Sequence, residues 1–414
     1  MGKNKKNGIF AICFILIVAI VLGYFFVVKG DSKFIENVFN NIIGKKFENT
    51  GDVEVKDNTV INEIGDEFID DETRYMRYLE ASADFVKTTK REKKDVFCFA
   101  GDVYFSRRVR EAYDKDGIDA ILDKSYINEL KAADLSVGNL ECCITDDVDT
   151  PEDKTWTFAL SSEYANGLKE TEIDLFTLAN NHILDYGLPA LDDTIKALDS
   201  KGIAHIGAAD NLYDAKKVYI KEIDGKRYAI LAASAVLPND FWKASKERGG
   251  VFNGYDAGAV AAEVKLLKNY FDKVIVYMHW GVELEETSND YQKTAARRVI
   301  DAGADLVVGT HAHVVQEIEY YKGVPIIYSL GNFIYGGQVR DIIMLKATFD
   351  YSKNEKGTLT IKVMPGVSNY QKTKRYWNDD LSLRLENLTL KSVNCTIDEG
   401  GMVIPKYSQL GERN

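Results

Sequence analysis

The chain has 414 residues, of which 45% are hydrophobic and 28% charged, and its net charge at neutral pH is −12. This composition is typical of a globular protein of two or three domains, and it excludes collagen-like, low-complexity and wholly disordered classes. The acidic excess provides no general surface for phosphate backbones, so we expect no nucleic-acid partner. Five cysteines, an odd number, predict no disulfide framework.

The N-terminus predicts a membrane anchor. Residues 8–28 are 21 uncharged residues, which at about 1.5 Å each cross a hydrocarbon core of roughly 30 Å. Lys3, Lys5 and Lys6 precede this segment and favour a cytoplasmic location for residues 1–7. No small-residue cleavage motif follows, so an uncleaved anchor is preferred to a signal peptide. We therefore expect a single-pass protein of the cell membrane with its C-terminal part outside the cytoplasm.

Residues 29–93 predict an acidic extracytoplasmic linker. Within it, residues 49–72 hold nine acidic side chains against a single lysine, Lys56. Such a segment extends by charge repulsion, which suits a spacer between the membrane and a folded domain. A helix over residues 73–86 is compatible with the pattern.

From residue 94 onward, short apolar runs alternate with helical periodicity, which predicts an α/β domain. On this pattern alone we expect a simple doubly wound sheet. The predicted strands are 96–100, 135–140, 175–179, 228–234, 274–279, 306–309 and 325–329, with a hairpin formed by 342–351 and 357–364. The predicted helices are 118–133, 188–201, 257–270 and 291–302.

Unusual polar residues follow several of these predicted strands. They are Asp102, Glu141, Asn180, Asn181, His182, His279, His311 and His313, and they include four of the five histidines in the chain. Because the carboxyl ends of strands line the ligand crevice of open α/β sheets, we expect these side chains to converge. The fifth histidine, His205, lies outside any such turn, and we expect it to be structural.

Carboxylate, imidazole and amide-oxygen ligands suit divalent ions such as Mn, Fe or Zn. Two such ions about 3.5–4 Å apart clamp phosphoryl-transfer transition states, provided that a carboxylate bridges them. We therefore expect a site for one or two divalent metal ions. Arg107 is either a bidentate anion ligand or a solvated side chain.

Six motifs occur in a characteristic order: GDVYFSR (101–107), NLE (139–141), ANNH (179–182), HWGVE (279–283), GTHAHVVQ (309–316) and SLGNF (329–333). In this order they resemble the CapA family of poly-γ-glutamate capsule proteins, a branch of the calcineurin-like metallophosphoesterase superfamily. The resemblance covers about residues 97–334 and implies a four-layer α/β/β/α sandwich. We expect this domain to span residues 94–374 and a C-terminal extension to follow at 375–414.

The resemblance also implies roles for the motif residues. Asp102 would bind the first metal, Glu141 would bridge, and His313 would complete the first site. The second site would be served by Asn181, His279 and His311, and His182 would protonate the leaving oxygen. Substrate contacts would come from Arg107, Asn180, Glu283 and Asn332. Tyr104 stands where the superfamily's D-x-H motif has histidine, which is expected to weaken the first site.

Three functions remain open at this stage. The first is a membrane-anchored component of capsule synthesis or export in a Gram-positive bacterium, contacting the γ-glutamyl polymer or the membrane subunits of its synthase. The second is a metal-dependent hydrolase of a phosphoester or of a γ-glutamyl or cell-wall amide. The third is a noncatalytic surface-binding domain.

Overall fold

The computed structural model describes residues 71–81 and 93–406. The predicted anchor at 8–28 and most of the predicted linker lie outside the described residues. Within the part that is described, no helix is both long and apolar enough to span a bilayer.

The described elements alternate between helices and strands along the chain. The helices are α1 (Asp71–Ala81), α2 (Arg107–Asp116), α3 (Ile118–Ile121), α4 (Lys124–Ala132), α5 (Ala165–Glu170), α6 (Gly187–Ser200), α7 (Leu212–Ala215), α8 (Ala257–Leu267), α9 (Asp290–Asp301) and α10 (Asn378–Lys391). The first ten strands are β1 (Lys94–Val103), β2 (Leu135–Leu140), β3 (Cys143–Ile144), β4 (Ala159–Leu160), β5 (Leu175–Thr177), β6 (Ala204–Ile206), β7 (Ala208–Ala209), β8 (Tyr219–Ile223), β9 (Lys226–Ser234) and β10 (Gly250–Val251). The remaining strands are β11 (Lys273–His279), β12 (Leu306–Thr310), β13 (Ile318–Tyr321), β14 (Val324–Ile327), β15 (Asn332–Ile334), β16 (Arg340–Asp350), β17 (Thr358–Ser368), β18 (Thr373–Arg375), β19 (Cys395–Ile397) and β20 (Met402–Pro405).

The predicted α/β class is confirmed, and each predicted strand has a counterpart. The predicted helix at 118–133 is wrong in one respect, because α3 ends before the extended residue Leu122 and a new helix, α4, begins after it. The Asp123 side chain accepts from the backbone N–H of Ser125 and so caps α4. Helix α2 was not predicted, since its sequence is mostly charged and only Val109 is buried.

The strands form two large sheets instead of the single doubly wound sheet expected from the pattern. The first sheet has ten strands in the order β19-β20-β17-β16-β1-β2-β5-β6, with β15 paired to β1 and β18 to β17. The second sheet has six strands in the order β13-β14-β12-β11-β9-β8. Strands β1, β2, β5 and β6 run parallel in the first sheet, as do β9, β11, β12 and β14 in the second.

The two sheets pack face to face through aromatic side chains. The ring of Phe97 lies 4.7 Å from that of Tyr228, and the ring of Phe99 lies 6.4 Å from that of Tyr277. The Tyr277 hydroxyl donates to the backbone oxygen of Ala100 at 2.6 Å. Since alternate residues of a strand face opposite sides, Phe97 and Phe99 point to the second sheet while Cys98 between them contacts α4.

Helices cover the opposite faces of both sheets. In the second sheet, Leu231 and Val276 share a buried cluster with Val264 of α8 and Val299 of α9. The described part of the predicted linker also packs here, because Tyr75 of α1 is buried and its hydroxyl bonds Glu263. At the other end of the chain, β20 pairs with β17, so the described part of the C-terminal extension continues the first sheet.

The strand that carries Asp102 requires glycine one residue earlier. A Cβ built on Gly101 would lie 1.8 Å from the backbone oxygen of Gly331, a contact that real side chains do not make. At Gly337 the nearest atom to such a Cβ is 3.9 Å away, which is an ordinary contact.

We expect Gly101→Ala to lower the free energy of unfolding by at least about 1–3 kcal/mol, because a methyl group forced into a packed backbone contact displaces it. Gly337→Ala, the matched control, should change stability by less than about 0.5 kcal/mol. Denaturant unfolding of the two variants measures both values. Equal free energies of unfolding for Gly101→Ala and Gly337→Ala would show that Gly101 does not lie close to the backbone oxygen of Gly331.

Candidate metal centre

The candidate site lies where the parallel strands of both sheets end. Asp102 is the second-last residue of β1, Glu141 follows β2 and His279 ends β11. His311 and His313 lie directly after β12. Asp102 pairs in register with Asn139 of β2 and with Asn332 of β15, which aligns the three strand ends. The structure thus brings together side chains that are separated by 200 residues in sequence.

Glu141 is the centre of this arrangement. Its side chain is fully buried, and neither carboxylate oxygen has a hydrogen-bond partner among the described residues. The closest cationic or potentially cationic groups are His279, with Nε2 3.4 Å from Oε1, and His313, with Nδ1 3.7 Å from Oε2. A buried carboxylate without hydrogen bonds is costly unless a cation compensates it.

Among the described residues, two groups of side chains could hold a metal ion, and both contain Glu141. One consists of Glu141, His311 and His313, and the other of Asp102, Glu141 and His279. In each group the candidate ligand atoms lie within 4.8 Å of one another. His311 Nδ1 is also buried without a hydrogen-bond partner among the described residues. These orphaned atoms and the mixed carboxylate and imidazole donors fit a divalent ion.

Burial sets the protonation of the cluster in the absence of a cation. Burial, reinforced by the negative charge of Asp102, raises the pKa of Glu141 well above its usual range. Burial and the neighbouring imidazoles lower the pKa values of His279 and His311, which keeps both rings neutral. For His313 burial acts in the same direction, but the Glu141 and Asp102 carboxylates outweigh it and raise its pKa to about 10. The neutral rings of His279 and His311 are in the form that binds a metal ion, whereas Glu141 and His313 would each release a proton when an ion binds.

The loop that carries two of the imidazoles has strained backbone. His311 has a φ of 88° and His313 a φ of 57°, both in the left-handed region that non-glycine residues avoid. The backbone N–H of His311 approaches Asp102 Oδ2 at 3.4 Å. His313 Nδ1 lies 3.3 Å from the same carboxylate oxygen and 2.7 Å from Asn332 Oδ1. The strain therefore directs both rings toward the carboxylates, as is common at functional sites.

Two buried asparagines position the carboxylates. Asn139 donates from Nδ2 to Asp102 Oδ1 at 2.8 Å. Asn180 donates to Asn139 Oδ1 at 3.1 Å and to the backbone oxygen of Leu140 at 2.7 Å, and it accepts from the backbone N–H of His182. Asn180 therefore helps to position the end of β2 and the backbone of His182, and the substrate contact that the resemblance implies for it stays a prediction.

His182 lies beside the cluster in a second buried network. Its Nδ1 is 2.6 Å from Asp185 Oδ2, and the ring of Phe158 stacks on it at 4.1 Å. The Lys154 ammonium bonds Asp185 and the backbone oxygen of Asn181. Burial lowers the pKa of His182, although Asp185 opposes this.

Asn181 and His279 join this network to the metal ligands. Asn181 Oδ1 lies 2.8 Å from His279 Nε2, the same nitrogen that approaches Glu141. Two of the remaining predicted residues, Arg107 and Glu283, lie at the surface. The Arg107 guanidinium is exposed and pairs with Glu111 at 3.6 Å, and Glu283 is exposed in the loop after β11. Asn332 is buried and holds His313, so it too has a positioning contact.

Lys154, Asp185 and Asn139 were missed by the sequence reasoning. The spacing of His182 and Asp185, three residues apart in N-H-x-x-D, was an available signal for one of them. Lys154 lies in a loop before β4 and no pattern in the sequence distinguishes it. His205 has the structural position expected of it, because its Nε2 contacts Asp199 at 3.2 Å near the surface.

Comparisons with known proteins agree with the motif order. Residues 96–336 match the family model described as bacterial capsule synthesis protein PGA_cap. The chain is 32% identical to the PGA biosynthesis protein CapA of Bacillus subtilis, over 64% of this chain and 70% of that protein. It is 28% identical to the capsule biosynthesis protein CapA of Bacillus anthracis, over 67% of this chain and 68% of that protein. A probable polyglutamine synthesis accessory protein of Mycobacterium tuberculosis is 34% identical over 50% of this chain and 57% of its own length. The chain therefore belongs to the bacterial capsule synthesis protein PGA_cap family.

Proposed function

We propose that this protein is a component of poly-γ-glutamate capsule synthesis or export whose working part is a metallophosphoesterase-like, metal-binding domain. One observation carries the proposal: Glu141 is buried without hydrogen bonds at the point shared by both candidate ligand groups. The named relatives act in capsule or PGA biosynthesis, and family membership supports the same role here. The two facing sheets with outer helices support a four-layer metallophosphoesterase-like sandwich.

The proposed location is the outer side of the cell membrane, with residues 8–28 as the anchor. Support comes from the 21 uncharged residues and the lysines that precede them. Proposed partners are the γ-glutamyl polymer or the membrane subunits that make it. A chain of net charge −12 repels a polyanion, so contact needs a local positive site.

The metal centre and Lys154 supply that positive site. The residues that would hold a divalent ion are Asp102, Glu141, His279, His311 and His313, with Asn181 adjacent. In the structure His311 groups with His313 and Glu141, whereas the resemblance divides those two histidines between separate sites. When bound, the ion would supply Lewis acidity toward a phosphoryl or carbonyl oxygen.

A metal-dependent hydrolase is the second candidate function, and the His182 network favours it. Asp185 accepts a hydrogen bond from His182 Nδ1, which orients the ring and leaves Nε2 to hold or transfer a proton. Lys154 neutralises Asp185, and Phe158 shields one face of the ring from water. This arrangement suits protonation of a leaving oxygen or nitrogen in a phosphoester or γ-glutamyl amide.

We expect the purified protein to bind one or two equivalents of Mn, Fe or Zn after reconstitution. Glu141→Gln keeps the size of the side chain but removes the charge shared by both ligand groups, so it should reduce metal content at least about tenfold. Elemental mass spectrometry measures the content.

His205→Asn is the matched control, since it removes an imidazole outside the cluster, and it should retain wild-type metal content. Absence of metal from the reconstituted wild type, or equal content in Glu141→Gln and wild type, would contradict the proposed centre.

We expect deletion of the gene to reduce the amount of γ-glutamyl polymer retained at the cell surface, and the wild-type chain to restore it. Glu141→Gln should fail to restore it if the metal centre is the working part, while His205→Asn should succeed. Immunodetection or chemical quantitation of the polymer provides the measurement. Unchanged polymer after deletion would refute the capsule role.

If the protein is a hydrolase, His182→Asn should lower kcat about 10²- to 10⁴-fold while metal content stays near that of the wild type, because His182 is a proton donor and not a ligand. The assay compares turnover of phosphoester and γ-glutamyl amide substrates by the metal-loaded proteins. Turnover that is unaffected by this substitution would exclude the proton-transfer role.

A further inference from the structure

A second cavity, of about 360 Å³, lies outside the metal centre. Its walls come from the loop after β12, from the start of β16 and from α10. Helix α10 and the whole of β16 follow residue 336, where the match to the family model ends. The cavity is therefore built at the junction between the family domain and the C-terminal segment, and its size is that of a small-ligand pocket.

Three cationic side chains line this cavity: Arg340, Arg384 and Lys391. Asp341 also lines it, but its carboxylate accepts from the Tyr376 hydroxyl at 2.7 Å and lies 2.8 Å from Arg384 Nε. Among the described residues no carboxylate pairs with Arg340, which donates to Gln338 Oε1 at 2.5 Å. Glu286 is the second carboxylate of the lining and interacts with Lys391, so three cations face two carboxylates. In a chain with a net charge of −12, this is a local excess of one positive charge, and Arg340 is the cation without a carboxylate partner among the described residues.

Besides these charged residues and the polar Tyr376 and Asn387, the walls are apolar. Val314, Ile342 and Leu388 contribute branched aliphatic side chains next to the cationic ones. A ligand that fits both kinds of wall carries carboxylates on a flexible methylene backbone. Arginine suits such a ligand because its planar guanidinium pairs with a carboxylate through two parallel hydrogen bonds.

The cavity and the metal centre share a loop. Val314 and Val315 line the cavity and directly follow His313 in the chain. Lys391 of α10 donates from Nζ to the backbone oxygen of Val315 at 2.5 Å. One extended ligand held in the cavity would therefore lie against the same loop that carries two of the metal ligands.

We propose that this cavity binds a short stretch of a polycarboxylate chain and serves as a second subsite beside the metal centre. The identity of that chain as γ-linked glutamate rests on the proposed capsule function. The charges of Arg340 and Lys391 would bind its carboxylates, and the valine, isoleucine and leucine side chains would contact its methylene groups.

The test is equilibrium binding of a γ-linked glutamate pentamer to the full-length protein in detergent, measured by calorimetry at low and high salt. We expect Arg340→Gln to weaken binding about tenfold or more, because a charge-assisted contact is lost, and high salt to weaken wild-type binding. Lys115→Gln, which removes an exposed lysine of α2 instead, should bind as the wild type does. The same pentamer with its carboxylates converted to amides should not bind.

A second variant shows whether weaker binding results from the lost charge or from misfolding. Lys391→Met keeps the aliphatic stem and removes the ammonium, and it should also weaken binding while circular dichroism stays unchanged. Wild-type affinity in both Arg340→Gln and Lys391→Met, or no binding by the wild type, would overturn the proposal.

Complementation separates this proposal from the proposed function. In a strain that lacks the gene, failure of the wild-type chain to restore surface polymer refutes the capsule role, whatever the pentamer binding shows. If the wild type restores polymer and Arg340→Gln restores it equally with undiminished pentamer affinity, the cavity proposal alone fails.

Discussion

The central constraint on this structure is one buried carboxylate. Glu141 is removed from water and receives no hydrogen bond from any described residue, while Asp102 lies close enough to oppose its ionisation. Isolated ionised groups in low dielectric cost far more than a domain can tolerate, so such a group is either protonated or compensated by a cation. Three imidazoles around it, two of them kept neutral by burial, make a metal ion the compensating group that the surroundings fit.

The rest of the fold serves to hold that group among its neighbours. The parallel strands of the two sheets end at the same edge of the domain. Aromatic contacts fix the distance between the sheets, with Phe97 against Tyr228 and Phe99 against Tyr277. Glycine at position 101 allows β1 and Gly331 to approach more closely than a side chain permits. Asn139 then fixes Asp102 by a direct hydrogen bond. The Asp102 carboxylate and the His313 ring are thus positioned by the side-chain amides of Asn139 and Asn332.

A role in capsule synthesis or export and a role as a hydrolase require different groups at the candidate metal centre. Holding an anionic chain needs positive charge, which a metal ion, Lys154 and the cations of the second cavity would provide. Hydrolysis also needs a proton donor, and the His182–Asp185 pair has the form of one. Tyr104 stands at the position of the superfamily's first-motif histidine, and in the structure its ring stacks on Phe158 at 4.7 Å. Tyr104 therefore extends the stack of aromatic rings formed by Phe158 and His182. The site has one imidazole fewer among its candidate metal ligands than the superfamily motif would provide.

Sequence pattern alone was sufficient for the α/β class, for the strands that end at the site and for the cluster of polar residues, because alternation and strand-end chemistry are local properties. It could not separate one sheet from two, since the pairing of β1 with β16 and of β9 with β8 depends on contacts between distant residues. Nor could it find Lys154, which is distinguished by its contacts with Asp185 and with the backbone oxygen of Asn181. The same holds for the hydrogen bonds that Asn180 donates to Asn139 and to the backbone oxygen of Leu140. Residue types and their spacing determined which chemistry is available, and the tertiary structure decided which atoms face one another, because burial and distance arise only when the two sheets close.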